Sequence, residues 1–240
     1  MIKLQNLSKK FGSLIAVNNL NLEIPDGEIF GLLGPNGAGK TTTMKIMAGI
    51  IQPSSGQVII NGDDVQKQPE KVKAQLGYIP DDPFIYEKLT GWEFLELVAD
   101  LYKIPRPEQK TKIENLIKLF DFPDLIHRRA EEYSRGNRQK LCILACLLHN
   151  PKIILVDEPV VGLDPLSIKI VKETFKKLAK EKKVTIFMST HTLNIADELC
   201  DRLGILKEGK LIDLGTIAEL KQKAHLQQAS LEELYLDLTK

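Results

Sequence analysis

Nowhere in this chain of 240 residues do about 18 apolar residues follow one another, the length a helix needs to cross a bilayer, so membrane association is expected only through a partner. The opening MIKLQNLSKKFG likewise lacks the apolar run of a signal peptide. Charge of one sign is missing as well: 33 basic residues nearly cancel 32 acidic ones. No field is left to hold a polyanion by counterion release, and nucleic acid is not an expected partner. Cysteine is scarce and odd in number, with Cys142 and Cys146 four apart in an apolar segment. That spacing suits one face of a helix better than a disulfide frame, which points to the reducing cytosol. What is abundant is apolar residue, 43% of the chain, enough for one large core or for one core plus a small lobe.

From Met1 to about Pro25, short stretches alternate apolar and polar residues between turn signals at Gly12 and Asp26-Gly27, the pattern of an antiparallel sheet. Gln57 to Ile60, closed by Asn61-Gly62, adds a hairpin. Ile29 to Leu33, Ile153 to Val156 and Val184 to Met188 are apolar without alternation, and each leads into a polar loop and then helical spacing. They read as buried parallel strands of an α/β core. Phe84 to Ala130 has a helical pattern broken at Pro105 and Pro107, the mark of a helical lobe inserted into that core. The expected organisation is one domain over 1–240. Its core covers 1–83 and 131–222 with the antiparallel part, the lobe covers 84–130, and a helical tail covers 223–240. In the tail, Ser230 and Glu233 form a capping-box pattern before a helix with Leu231, Leu234, Tyr235 and Leu238 on one face.

Gly34-Pro35-Asn36-Gly37-Ala38-Gly39-Lys40-Thr41 follows the first buried strand and opens a helix, the context that a P-loop requires. Its glycines let the backbone curl so that N–H groups face a phosphate, and the helix N-terminus adds positive potential. Lys40 is expected to reach the β- and γ-phosphates and Thr41 to offer its hydroxyl to Mg²⁺, with Thr42 beside it among the nucleotide contacts. Asp157 and Glu158 tip the second buried strand, where Asp157 suits holding Mg²⁺ and Glu158 polarising the attacking water. A P-loop alone fits kinases, GTPases and helicases. The absence of an Asn-Lys-x-Asp guanine-reading motif argues against a GTPase.

Tyr133-Ser134-Arg135-Gly136-Asn137, ahead of a nearly all-apolar helix and before the acidic strand, resembles the Leu-Ser-Gly-Gly-Gln signature of ATP-binding cassette proteins. Ser134 and Gly136 are kept and the other three residues are replaced. Mechanically, Ser134 can cap the helix and Gly136 allows close approach of the backbone to a phosphate. Gly162-Leu163-Asp164 resembles the D-loop of the same family, and Ser189-Thr190-His191 its switch histidine. The resemblance covers essentially the whole chain. It implies an α/β P-loop NTPase core with a parallel sheet, an N-terminal antiparallel β subdomain and an inserted helical subdomain.

The resemblance further implies ATP hydrolysis with Mg²⁺. Phe11 would stack on adenine, His191 would contact the γ-phosphate, and Ser134, Gly136 and Asp164 would join the nucleotide contacts. In Tyr78-Ile79-Pro80-Asp81, the family usually has Gln where Asp81 stands. Asp81 keeps an oxygen ligand for the metal on a shorter, charged arm. Family members work as pairs, so a second ATP-binding subunit, identical or closely related, is expected. A separate transmembrane permease subunit is expected against the lobe, holding the chain on the cytoplasmic face of the cell membrane. Pro83-Phe84-Ile85-Tyr86-Glu87-Lys88-Leu89-Thr90 and the ending Ser230 to Leu238 resemble bacterial exporters of the ABC-2 type. The rival expectations are a soluble cassette acting on ribosomes or DNA, which usually joins two cassettes or inserts a long coiled coil, and a catalytically weak structural cassette.

Overall fold

The computed structural model describes every residue except 123–124, 225–230, 234 and 236–240. In the first sheet, β1 (Ile2–Phe11) and β2 (Leu14–Ile24) fold back on each other so that Phe11 faces Leu14. The other edge of β1 pairs with β4 (Ser55–Ile60), which turns into β5 (Asp63–Asp64), and all pairings are antiparallel. The turn between these two strands has positive φ at both Asn61 and Gly62, the geometry that an Asn-Gly pair adopts at least cost. Alternate residues Ile2, Leu4, Leu20, Leu22 and Ile24 point inward and are buried.

The second sheet runs in the order β10-β9-β3-β8-β7-β6. Its members are β3 (Ile29–Leu33), β6 (Leu76–Ile79), β7 (Ile153–Asp157), β8 (Thr185–Thr190), β9 (Arg202–Lys207) and β10 (Lys210–Gly215). Five strands are parallel and β10 runs antiparallel on the edge beside β9. Every residue of β3, β7 and β8 is buried, which explains why their apolar runs show no alternation. β8 extends past Met188 to take in Ser189 and Thr190, and β9 and β10 form a hairpin that the apolar pattern had not marked.

Between the sheets lies one core, in which Phe30 and Phe187 stack with ring centroids 5.6 Å apart beside Leu32, Leu155 and Met44. It takes in α1 (Lys40–Met47) and, at its edge, α2 (Pro69–Lys73). The opposite face of the second sheet is covered by α5 (Arg135–Leu148) and α6 (Pro165–Lys182), with α7 (Leu193–Leu199) and α8 (Ile217–Lys223) near β9 and β10. Leu231 is buried with Leu33, Ala196, Leu203 and Leu220, and Tyr235 packs against the same cluster; Ser230 of the expected capping box and Leu234 and Leu238 of the expected helix face lie outside the described residues.

Within 84–130 the helices are α3 (Gly91–Leu101) and α4 (Arg106–Leu119), both packed on α5. Thr90 starts α3 with a reciprocal capping box: its Oγ1 accepts from the Glu93 N–H, and the Glu93 carboxylate accepts from the Thr90 N–H at 2.8 Å. That cap is the reason Phe84 to Leu89 stays outside the helix. Pro105 is the N-cap of α4 and Pro107 sits in its first turn, where a missing N–H leaves no helical bond unmade. No helix among the described residues is long and apolar enough to cross a membrane.

Candidate functional site

β3 ends in the loop Gly34–Gly39, and α1 begins at Lys40. Gly39 has a φ of 105°, and a Cβ there would lie 2.2 Å from the Ala16 carbonyl oxygen, so only glycine lets the loop pass beneath β2. The Lys40 ammonium folds back to donate to the carbonyls of Gly34 at 2.6 Å and Pro35 at 3.1 Å. Burial pushes its pKa below the ordinary lysine range, while the carboxylates of Glu158 and Asp157 oppose that shift. Gly34 and Pro35 thus form the base of the loop. Asn36, Gly37, Ala38, Gly39, Lys40, Thr41 and Thr42 line a cavity of about 680 Å³.

The pairing of β7 with β8 brings Asp157 opposite Ser189 at the carboxyl ends of the strands. The Ser189 hydroxyl donates to Asp157 Oδ1, and the second oxygen, Oδ2, is buried with no hydrogen-bond partner. Glu158 has a φ of 55°, a left-handed conformation that costs about 1 kcal/mol for a non-glycine residue and turns its side chain back toward the end of β8. There the Thr190 hydroxyl donates to Oε2 at 3.1 Å, while the His191 N–H donates to Oε1 at 3.0 Å. His191 Nδ1 lies 2.7 Å from the same Oε1. Asp157, Glu158 and His191 line the cavity with Lys40.

An oxygen of Asp157 left unsatisfied in a buried place, with the Thr41 hydroxyl on the same cavity wall, fits a hard divalent cation. One carboxylate and one hydroxyl are the protein share of the ligands of a Mg²⁺ that arrives with phosphates. Phe11 reaches the cavity from the tip of the β1–β2 turn, with 49% of its surface exposed and the Lys9 ammonium 4.9 Å from its ring centroid. Its ring is therefore on the rim and not in the core of the sheet. A larger cavity of about 850 Å³, bordered by Leu119, Leu178 and Lys152, gathers no comparable set of groups.

Five residues expected among the nucleotide contacts do not line this cavity: Gly34 and Pro35 at the base of the loop, and Ser134, Gly136 and Asp164. Ser134 caps α5 by accepting from the Asn137 N–H at 3.3 Å. A Cβ on Gly136 would lie 2.3 Å from the Gly162 carbonyl oxygen, so the start of α5 is packed against the turn before α6. Asp164 caps α6. It accepts from the Ser167 hydroxyl at 2.6 Å and the Ser167 N–H at 2.9 Å and pairs with Lys140 at 3.0 Å. Those bonds, the Ser167 hydroxyl first, hold its carboxyl well below the usual range. Asp81 does line the cavity, but its carboxylate has a protein partner: Arg135 Nη2 lies 3.2 Å from Oδ1 and 3.4 Å from the Asp81 carbonyl oxygen.

Arg135, Ser189 and Thr190 join the site without having been expected there from the sequence. The last two stand directly before His191, and hydroxyls at the end of a strand beside an acidic strand end were the available signal. For Arg135 the signal was a cation in place of a small residue, in a chain that also has a carboxylate where an amide is usual.

A P-loop at the carboxyl edge of a parallel sheet, facing a paired Asp and Glu, defines the chain as a P-loop ATPase. The family model described as "ABC transporter" matches residues 17–161, and the chain belongs to that family as an ATP-binding subunit. ABC-type transporter ATP-binding protein EcsA of Bacillus subtilis (strain 168) is 33% identical over 240 residues, spanning 100% of this chain and 97% of EcsA. A solved ATP-binding subunit of an ABC transporter superposes with a TM-score of 0.94 at 34% identity, covering 100% of both chains. A dimeric ATP-binding cassette in a post-hydrolysis state, bound to ADP and Pi, matches with a TM-score of 0.83 at 27% identity, covering 90% of this chain and 99% of that one.

Proposed function

We propose that the chain closes with a second copy or a close relative around ATP, hydrolyses it with Mg²⁺, and thereby drives a separate membrane-spanning subunit that exports its substrate. The observation that carries this reading is the Glu158 carboxylate, held by Thr190 and His191 on the wall that Lys40 also lines.

Amide groups of the loop 36–39 cradle the phosphates, and Lys40 exchanges the carbonyls of Gly34 and Pro35 for phosphate oxygens. Glu158, with both oxygens fixed in direction, polarises water toward the γ-phosphate, and His191 reaches the same phosphate. Asp157 and Thr41 would hold Mg²⁺, which would supply positive charge to offset the negative charge of the phosphates. Phe11 offers its open ring face to adenine. Ser134 and Gly136, which do not line the cavity of their own chain, would contact the nucleotide of the second subunit. Its dimeric relative supports this pairing.

Phe84 and Tyr86, 78% and 55% exposed, support a partner contact at the lobe, which would hold the chain on the cytoplasmic face of the membrane. Export is supported by the resemblance of Pro83 to Thr90 to the ABC-2 exporters. Replacing Glu158 by Gln tests the mechanism: ATP binding is retained, hydrolysis falls by at least about a hundredfold, and an ATP-held dimer accumulates in size-exclusion chromatography with light scattering. A variant that hydrolyses normally and stays monomeric with ATP would refute both the base and the paired site.

A further inference from the structure

We propose that Asp81 and Arg135 act together as a charge-neutral pair on the wall of the nucleotide cavity. Arg135 masks a carboxylate that would repel a triphosphate, and Asp81 restrains a guanidinium that would hold one too firmly. The proposal rests on the reading of this cavity as the Mg²⁺–ATP site.

The two residues are 54 positions apart and come together only through the fold. Asp81 lies on the loop that leaves β6 for the helical lobe, and Arg135 is the first residue of α5, where the chain returns from it. Their side chains, 50% and 55% exposed, are screened by water, so an ion pair there adds little to folding stability. Stability is therefore a poor reason for a cation at the start of a helix, where the helix dipole disfavours one. The cavity offers a better reason. Lys40, Asp157, Glu158 and Glu208 line the same space, so the carboxylates already outnumber the lysine. An uncovered Asp81 would add one more negative charge beside a ligand that is itself strongly anionic. With Arg135 at 3.2 Å the addition is cancelled, and the pair presents almost no net charge to the triphosphate.

The sign of the effect separates this role from direct ligation. A carboxylate that bound the metal would weaken nucleotide binding when removed, whereas a carboxylate that restrains an arginine would strengthen it. Calorimetry on the full chain with Mg²⁺ and a non-hydrolysable ATP analogue reads that sign. We expect Arg135→Gln to weaken binding about tenfold, Asp81→Asn to tighten it about threefold or more, and the double variant to lie within about threefold of the unaltered chain. Raising the salt concentration should shrink both single effects, because the groups are exposed. Weaker binding by Asp81→Asn, or no change in either single variant, would overturn the proposal. An unaltered chain that bound no analogue would instead overturn the reading of the cavity itself.

Discussion

His191 holds one carboxylate oxygen of Glu158 from two directions: its main-chain N–H donates to Oε1 at 3.0 Å, and its Nδ1 lies 2.7 Å from the same atom. Thr190 fixes the other oxygen at 3.1 Å. The carboxylate is thus aimed by the end of β8, although it belongs to the end of β7. A base whose oxygens cannot swing presents the same lone pair to each incoming water.

Replacing Thr190 by Val removes the bond to Oε2 and keeps the branched shape. A hydrogen bond to a charged group is worth about 1.5–3 kcal/mol, so turnover should fall about tenfold or more while ATP affinity stays unchanged. Steady-state ATPase rates and a binding titration on one preparation separate the two quantities. Unchanged turnover would show that Glu158 needs no support from β8.

Lys40→Ala removes the only lysine that lines the cavity, among the described residues. Its ammonium makes two bonds to loop carbonyls, and phosphate oxygens would replace them. Calorimetry should show ATP affinity reduced by about a hundredfold, equivalent to two charge-assisted hydrogen bonds of modest strength. Affinity equal to that of the unaltered chain would mean that triphosphate does not bind at this loop.

His149, the C-cap of α5, stacks on Tyr102 with ring centroids 3.7 Å apart. Burial pushes its pKa down from 6.5 to about 4. Below pH 6.5 the unfolded chain takes up a proton that the folded chain refuses, so this residue lowers stability as the pH falls from 6.5 toward 4. His149→Phe keeps the ring stack and removes the titration. Urea midpoints measured between pH 7 and pH 5 should decline less steeply in the variant. An identical decline would remove His149 from the acid response.

Residues near one another in the chain determined a large part of this protein. Ile29 to Leu33 forms a strand with those bounds, because a segment buried on both faces needs no alternation. The P-loop, the adjacent Asp157 and Glu158, and the Ser134 cap are equally local, since turn dihedrals, phosphate cradles and helix starts are written within a few residues.

Only the tertiary structure decided what each of these faces. Ser189 and Thr190 ended the apolar run in the sequence, yet they are buried strand residues, because the carboxylates of the neighbouring strand satisfy their hydroxyls. Asp164 pairs with Lys140, and Asp81 with Arg135, across gaps that no local pattern records. Side-chain periodicity reports which way a residue points relative to its own element. Which element it then meets depends on strand order and helix docking, and these are settled by burying the whole core at once.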